Sequence, residues 1–338
     1  MIISKSKRAK GGSPLRLARG TAWAMTGLAV WLVLFGAGYA SGAEDGGARA
    51  GQTLVRIGIA PGTWWGVNQT DAKAAITAWA RTTFEQRRIV ADVETTMFDT
   101  VEALHSALKT CEIDAVSMLA DQFLALESGL QPDEVFLGTK NRSFTEQYEL
   151  LVHQDGGIMD VQGLAGQKLV LHASARTSLA LQWIDTLLAR RSLGPAAEVL
   201  SNVTEIASPS KAVLKVFFKQ ADAALVTSNV FELACELNPQ LRKQLRVLAV
   251  SPEVVPSLFF FRAGYTSSLR GQLELAIVAL HETPAGQQVL TVFQSDGMTK
   301  RPLGCLEGTR QFLAEYARSK PRADEVSKPI LPALIPRP

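Results

Sequence analysis

Cysteine and histidine are scarce in this chain: three Cys and four His among 338 residues. So little cysteine excludes a small scaffold stapled by disulfides. The cysteines, Cys111, Cys235 and Cys305, form no C-x-x-C, and His105, His153, His172 and His281 are scattered, so no metal-ligand spacing is present. No G-x-S-x-G elbow, phosphate-binding loop or H-E-x-x-H occurs. Charge of one sign is also missing, with 35 Lys+Arg against 32 Asp+Glu. The basic residues are not interleaved with aromatics, which argues against a nucleic-acid surface. What remains is an ordinary globular composition, 47% hydrophobic and 20% charged, long enough for two domains of about 150 residues.

The small positive excess is local. Residues 1–43 hold Lys5, Lys7, Arg8, Lys10, Arg16 and Arg19 and no acid, so the remaining 29 basic residues face 32 acidic ones. This basic run precedes residues 21–40, which carry no charge, and then Ser41-Gly42-Ala43 before Glu44. A positive start, an apolar core and a small-residue cleavage site form an export signal. The apolar stretch is also long enough to span a bilayer as an uncleaved anchor. Either way the body is expected outside the cytoplasm, periplasmic, and no later run is long enough to span. In an oxidising compartment three cysteines leave at least one thiol unpaired, while Cys235 and Cys305 are candidates for one bridge.

After a Gly/Ala-rich linker at 44–52, LVRIGIA (54–60) alternates as a strand and stops at Pro61-Gly62. Helical spacing follows from Asp71 to Arg88, then a strand at 89–96, a helix with Asp99 as its cap, and a strand at 113–119. That order predicts a parallel sheet covered by helices. A similar rhythm restarts at residue 147, with strands at 147–154, near 172 at the end of LAGQKLVLHA (164–173), and at 198–203, 221–226, 246–251 and 257–263. Helices are expected at 174–191, 208–220 and 228–237, and mostly helix from Thr266 to Tyr316 with a break at Ser295–Pro302. A Pro-rich tail over 319–338 reads as disordered. The halves echo each other: Asp114-Ala115-Val116 recurs as Asp222-Ala223-Ala224-Leu225.

Ligands of open α/β sheets collect at the carboxyl ends of strands. Those ends carry Thr63 and Trp64, Ser117, Ser174, Arg176, Thr177 and Ser178, and Thr227 and Ser228. The Ser174–Ser178 stretch opens a helix, where free N–H groups and the helix dipole attract anions. Its hydroxyls serve equally well as ordinary N-caps, and Thr227 has the same two readings. Trp64-Trp65 either walls a pocket or packs.

The order of segments from 147 onward resembles the phosphate/phosphite/phosphonate-type substrate-binding proteins of ABC transporters. The resemblance rests on Tyr148, Asp155-Gly156-Gly157-Ile158, Leu164-Ala165-Gly166-Gln167-Lys168 and Thr177-Ser178. It continues in Gln220-Ala221-Asp222-Ala223-Ala224-Leu225-Val226-Thr227-Ser228, in Ile113-Asp114-Ala115-Val116 and in SPEVVPSLFFFRAG (251–264), and spans roughly 54–300. It implies an α/β, two-lobed type 2 periplasmic-binding-protein fold whose hinge closes on a ligand between the lobes. By this likeness one lobe is 54–146 plus 263–318 and the other is 147–262. Leu179 stands where the family has Gly, Arg176 where it has Ser, and Thr227 where it has an acid, so the partner for an aminoalkyl ammonium is missing.

The implied protein is a monomer without cofactor, metal or catalysis. It captures a small anion such as phosphonate, phosphite or phosphate and hands it to an ABC-transporter permease. The alternative is a tethered sensor that reports to a membrane signalling partner. Thr177, Ser178 and nearby backbone N–H groups hold the anion, Thr227 and Ser228 assist, and Thr63 and Trp64 face them from the other lobe.

Overall fold

The computed structural model describes residues 53–65 and 67–320. The export segment expected over 1–43, the linker at 44–52 and the tail, apart from Ser319 and Lys320, lie outside them. The chain begins with β1 (Thr53–Ile59), α1 (Gln69–Arg87), β2 (Ala91–Met97), α2 (Val101–Lys109) and β3 (Ala115–Leu119). Local chemistry sets these limits. The Asn68 side chain accepts the Thr70 N–H at 2.7 Å to start α1, and Arg88 ends it in the left-handed region at φ 54°. Thr100, one residue later than the expected Asp99, caps α2 by accepting the Ala103 N–H at 3.1 Å.

Two elements not read from the sequence follow, α3 (Ala120–Leu130) and β4 (Glu134–Thr139). The chain then crosses into a second sheet with β5 (Tyr148–His153), β6 (Lys168–His172), α4 (Ala180–Ala189), α5 (Ala196–Val199) and β7 (Asn202–Ile206). The strand expected at 198–203 therefore begins four residues late, because 196–199 turns as a short helix. Next come α6 (Pro209–Phe217), β8 (Ala223–Thr227), α7 (Ser228–Leu237), α8 (Gln240–Gln244) and β9 (Leu245–Val250). The return crossing leads to β10 (Ser257–Phe261), α9 (Arg270–Val278), α10 (Pro284–Val292), β11 (Gly297–Pro302) and α11 (Glu307–Ser319). The break expected at 295–302 is thus a strand, which pairs with β4.

The first sheet has the order β11-β4-β10-β3-β1-β2 and the second β7-β6-β8-β5-β9. Neither is purely parallel. β10 runs antiparallel to β3 and β4, and β5 runs antiparallel to β8 and β9, because each of these strands enters its sheet from a crossing rather than through a helix. β10 belongs to the first sheet, although the sequence reading assigned it to the second lobe. Its unbroken apolar run has a plain cause, since both of its faces are covered. Phe259 and Phe261 pack with α1 residues such as Trp79, while Leu258 and Phe260 pack with Leu104 and Phe123. In the second sheet β8 is buried throughout for the same reason.

Two crossing segments meet where Glu146 and Val254 exchange backbone hydrogen bonds of 2.7 and 2.9 Å. The Tyr148 N–H adds a 2.7 Å bond to Ser251 Oγ. Helix α11 touches both halves, although it was expected with the first lobe alone. Phe312 enters the second core and Glu315 pairs with Arg190 at 2.7 Å, while Arg310 pairs with Glu127 of α3 at 2.9 Å. Among the described residues no helix is long and apolar enough to cross a membrane. All three cysteines are free, and Cys235 and Cys305 sit in different cores, so the bridge considered between them is not formed.

Candidate functional site

The segment after β6 does not run straight into a helix. Residues 175–177 make one tight turn and α4 starts at Ala180. Ser174 and Thr177 satisfy each other. The Ser174 N–H donates to Thr177 Oγ1 at 2.9 Å, and that hydroxyl donates to the His172 carbonyl at 2.6 Å. The N–H groups of Thr177 and Ser178 bond to the carbonyls of Ser174 and Ala175. Of the two sequence readings, capping accounts for Thr177: its hydroxyl and N–H are engaged within the turn.

The turn presents Arg176 toward the other lobe. Tyr148, fully buried, fixes the backbone by donating its hydroxyl to the Arg176 carbonyl at 3.1 Å. Burial pushes the Tyr148 phenol well above its ordinary range, so it remains a donor. The Arg176 side chain is itself 10% exposed. Its Nε donates to Glu146 Oε1 on the crossing segment, and its Nη1 reaches Ser295 Oγ of the first lobe at 3.4 Å. Ser295 donates onward to the Phe293 carbonyl at 3.1 Å, which leaves its oxygen free to accept. The third nitrogen, Nη2, is buried and has no protein partner. Burial raises the Glu146 carboxyl above its ordinary range, against the opposing pull of Arg176.

Ser178 is half-buried and reaches the Pro256 carbonyl on the return crossing at 3.4 Å. Arg176 and Ser178 thus lie where the lobes meet. Thr227 caps α7, accepting the Val230 N–H at 3.4 Å, and pairs in register with Tyr148. The N–H and hydroxyl of Ser228 both face the Gln147 carbonyl, at 2.8 and 3.3 Å. Ser117 is half-buried on β3 opposite Phe259. Thr63 is buried and locks its own turn through a 2.7 Å bond to the Ala60 carbonyl. Trp64 packs against the first core, while Trp65 is 46% exposed. Among the described residues no hydrogen bond joins Thr63 or Trp64 to the second lobe. Glu146 and Ser295 were not foreseen. Glu146 borders a strand like any surface acid, and Ser295 lay in what read as a break.

The arrangement offers one unsatisfied cationic donor, Arg176 Nη2, and one loosely bonded hydroxyl, Ser178, where the lobes meet. Such a cluster suits an acceptor-rich head group. It contains no nucleophile–base pair, and among the described residues no group of three His, Cys, Asp or Glu is placed to hold a metal.

Comparisons with known proteins agree with this picture of a binder. No curated protein sequence matches the chain. Among solved structures, a binding component of an ABC phosphonate transporter from Pseudomonas aeruginosa is similar, with a TM-score of 0.52 and 14% identity over 83% of this chain and 91% of that one. PhnD1 from Prochlorococcus marinus in complex with methylphosphonate scores 0.51 at 13% identity, covering 79% and 99%. A Xanthomonas citri protein bound to ATP scores 0.54 at 14% identity, covering 79% and 98%. These likenesses show the fold, that of type 2 periplasmic binding proteins. The family model for the periplasmic phosphonate substrate-binding protein of ABC transporters matches residues 82–301. The chain therefore belongs to the periplasmic phosphonate-type substrate-binding proteins of ABC transporters, a family of ligand carriers rather than enzymes.

Proposed function

We propose that this chain, exported through residues 1–43, captures a small oxyanion of the phosphonate, phosphite or phosphate type between its lobes and presents it to an ABC permease. The observation that carries this reading is the free Nη2 of Arg176, buried at the junction of the lobes. An oxyanion oxygen completes the guanidinium there, and the Ser178 hydroxyl on the same turn can exchange its long 3.4 Å bond to the Pro256 carbonyl for the ligand. Arg176 and Ser178 are the ligand contacts we favour. Thr177 and Ser174 act by holding the turn, and Tyr148 by anchoring its backbone. Thr227 and Ser228 hold the neighbouring helix start beside Tyr148. The lobes divide at the crossings, so one spans 53–145 with 256–302 and the other 147–251, with α11 bridging them.

A thermal-shift screen over phosphite, phosphate, methylphosphonate and sulfonates tests the reading, because a ligand that binds only the folded chain raises the melting temperature by mass action. A saturable rise with at least one oxyanion supports it. No rise with any of them at millimolar concentration removes it.

A further inference from the structure

A second side-chain contact joins the lobes besides that of Arg176. Asn141, just beyond β4, donates its Nδ2 to Asn229 Oδ1 at the start of α7. Lys140–Ser143 fold back in a tight turn: the Lys140 N–H donates to the Ser143 carbonyl at 2.7 Å, and the Ser143 N–H to the Lys140 carbonyl at 2.9 Å. Both central residues are left-handed, with φ 48° at Asn141 and 68° at Arg142. Asparagine tolerates that region, but the second central position usually carries glycine, so Arg142 holds this geometry at a cost. Strained backbone of this kind persists where its surroundings fix it.

Asp296, just before β11, does the fixing. Its Oδ2 accepts the Asn141 N–H at 2.7 Å, its Oδ1 accepts the Thr139 hydroxyl at 3.2 Å, and its own N–H donates to the Thr139 carbonyl at 2.8 Å. The turn is thereby tied to the first lobe, and the Asn141 carboxamide reaches across to the second. On α7 the cap is Thr227, which leaves the Asn229 carboxamide for Asn141. Asp296 directly follows Ser295, which receives Arg176. One dipeptide of the first lobe therefore supports both bridges. Ser295 takes the side chain from the turn after β6, and Asp296 sets the residue that meets α7.

We infer that Asn141 and Asn229 form a clasp that holds the two lobes together over the ligand, a positioning pair that sets how long a ligand stays and not which ligand is chosen. The inference rests on the reading of a ligand held between the lobes and deepens it by adding the contact that retains it. The two carboxamides are bonded to each other and carry no charge, so the bond is indifferent to the head group. Arg176 differs on both counts, being charged and having a free donor. A ligand enclosed by a hinge leaves when the lobes part, so loosening the clasp acts on dissociation. Asn141 is exposed and Asn229 half-buried, so the effect is that of one ordinary hydrogen bond.

The test uses the full chain with Asn229→Ala, which α7 accommodates, and with Asn141→Gly, which keeps the left-handed turn and removes only the carboxamide. Either variant alone carries it. Hydrogen exchange read by mass spectrometry without ligand comes first. Asn229→Ala should speed exchange at residues 140–143, in the opposite lobe, by about threefold or more. Stopped-flow kinetics with methylphosphonate, phosphite and methanesulfonate come second. Each variant should dissociate about three to ten times faster, by the same factor for every ion bound, with association unchanged and the double variant no faster than either single one. Unchanged exchange at 140–143, or unchanged dissociation, overturns the clasp while the oxyanion reading stands. A factor that differs from ion to ion also overturns it, because the pair would then touch the ligand. If none of the three ions binds, the oxyanion reading falls, and the exchange result alone decides whether the clasp exists.

Discussion

Arg176, on the turn after β6, reaches across the lobes to Ser295, 3.4 Å from its Nη1, while its Nε is held by Glu146 and its Nη2 is held by nothing in the protein. One side chain therefore links the second lobe, the crossing segment and the first lobe. The consequences separate into those for stability and those for binding.

Breaking the pair from one side should be worse than replacing it. Arg176→Met strands the Glu146 carboxylate in a buried position and is expected to lower stability by about 3–5 kcal/mol in urea unfolding. Arg176→Met combined with Glu146→Leu removes both charges and should recover most of that loss. Equal destabilisation by the single and the double variant would show that the pair contributes only through packing.

Glu146 also sets the pH dependence of binding. Burial raises its carboxyl above the ordinary 4.5, so the folded chain keeps a proton there to higher pH than the unfolded one. The stabilising contribution of that proton is complete below 4.5 and is lost as pH rises through the raised folded value. An anion arriving at Arg176 repels the carboxylate form, so binding takes up a proton and strengthens as pH falls from neutrality through the raised folded value. Methanesulfonate, a monoanion throughout that range, is a suitable probe. Glu146→Gln should bind it about tenfold more tightly at pH 7 and show a flat profile. A Glu146→Gln profile as steep as that of the parent would assign the pH dependence elsewhere.

Thr177→Ala distinguishes a structural hydroxyl from a ligand contact. Its oxygen bonds the His172 carbonyl at 2.6 Å and accepts the Ser174 N–H at 2.9 Å, both inside the protein. Its loss should cost about 1–2 kcal/mol of stability. Affinity should fall only as far as the turn moves Arg176, and Thr177→Ser should restore both. Lost affinity at unchanged stability would return Thr177 to the ligand shell.

The turn and the sheet it follows carry a second titration, at His172. Its ring is buried, its Nδ1 lacks a partner, and burial lowers its pKa below the ordinary 6.5. The folded protein holds it neutral, so this contribution is present above 6.5 and is lost as pH falls through the lowered folded value. Equilibrium unfolding between pH 7.5 and 5 should show a smaller fall in stability for His172→Phe than for the parent. Parallel profiles would contradict this.

The repeated Asp-Ala was legible in the sequence, and its meaning was not. Asp114 Oδ2 accepts the Arg56 N–H at 3.0 Å, and Asp222 Oδ2 accepts the Lys168 N–H at 2.8 Å. In each lobe the acid just before one strand pins the backbone of its parallel neighbour. Periodicity gave most strands and helices, because apolar alternation and caps such as Thr100 act within a few residues. It missed α3 and β4, which the sequence reading passed over. It gave β10 to the wrong lobe, since sheet membership is a long-range pairing that a strand's own residues do not encode. The site followed the same divide. Ser174–Ser178 stood out as a helix start, but the partners of Arg176 come from residues 30 positions before it and 119 after it. No local pattern joins those three.

The measurement closest to the central claim is calorimetric titration of the best oxyanion from the screen into the parent chain and Arg176→Lys. Lysine keeps a positive charge beside Glu146 but loses the guanidinium fork and its third nitrogen. The free Nη2 as the ligand's donor predicts an affinity at least about tenfold weaker, with the fold intact by circular dichroism. Equal affinity in the two proteins would contradict the assignment of Arg176 as the residue that holds the anion.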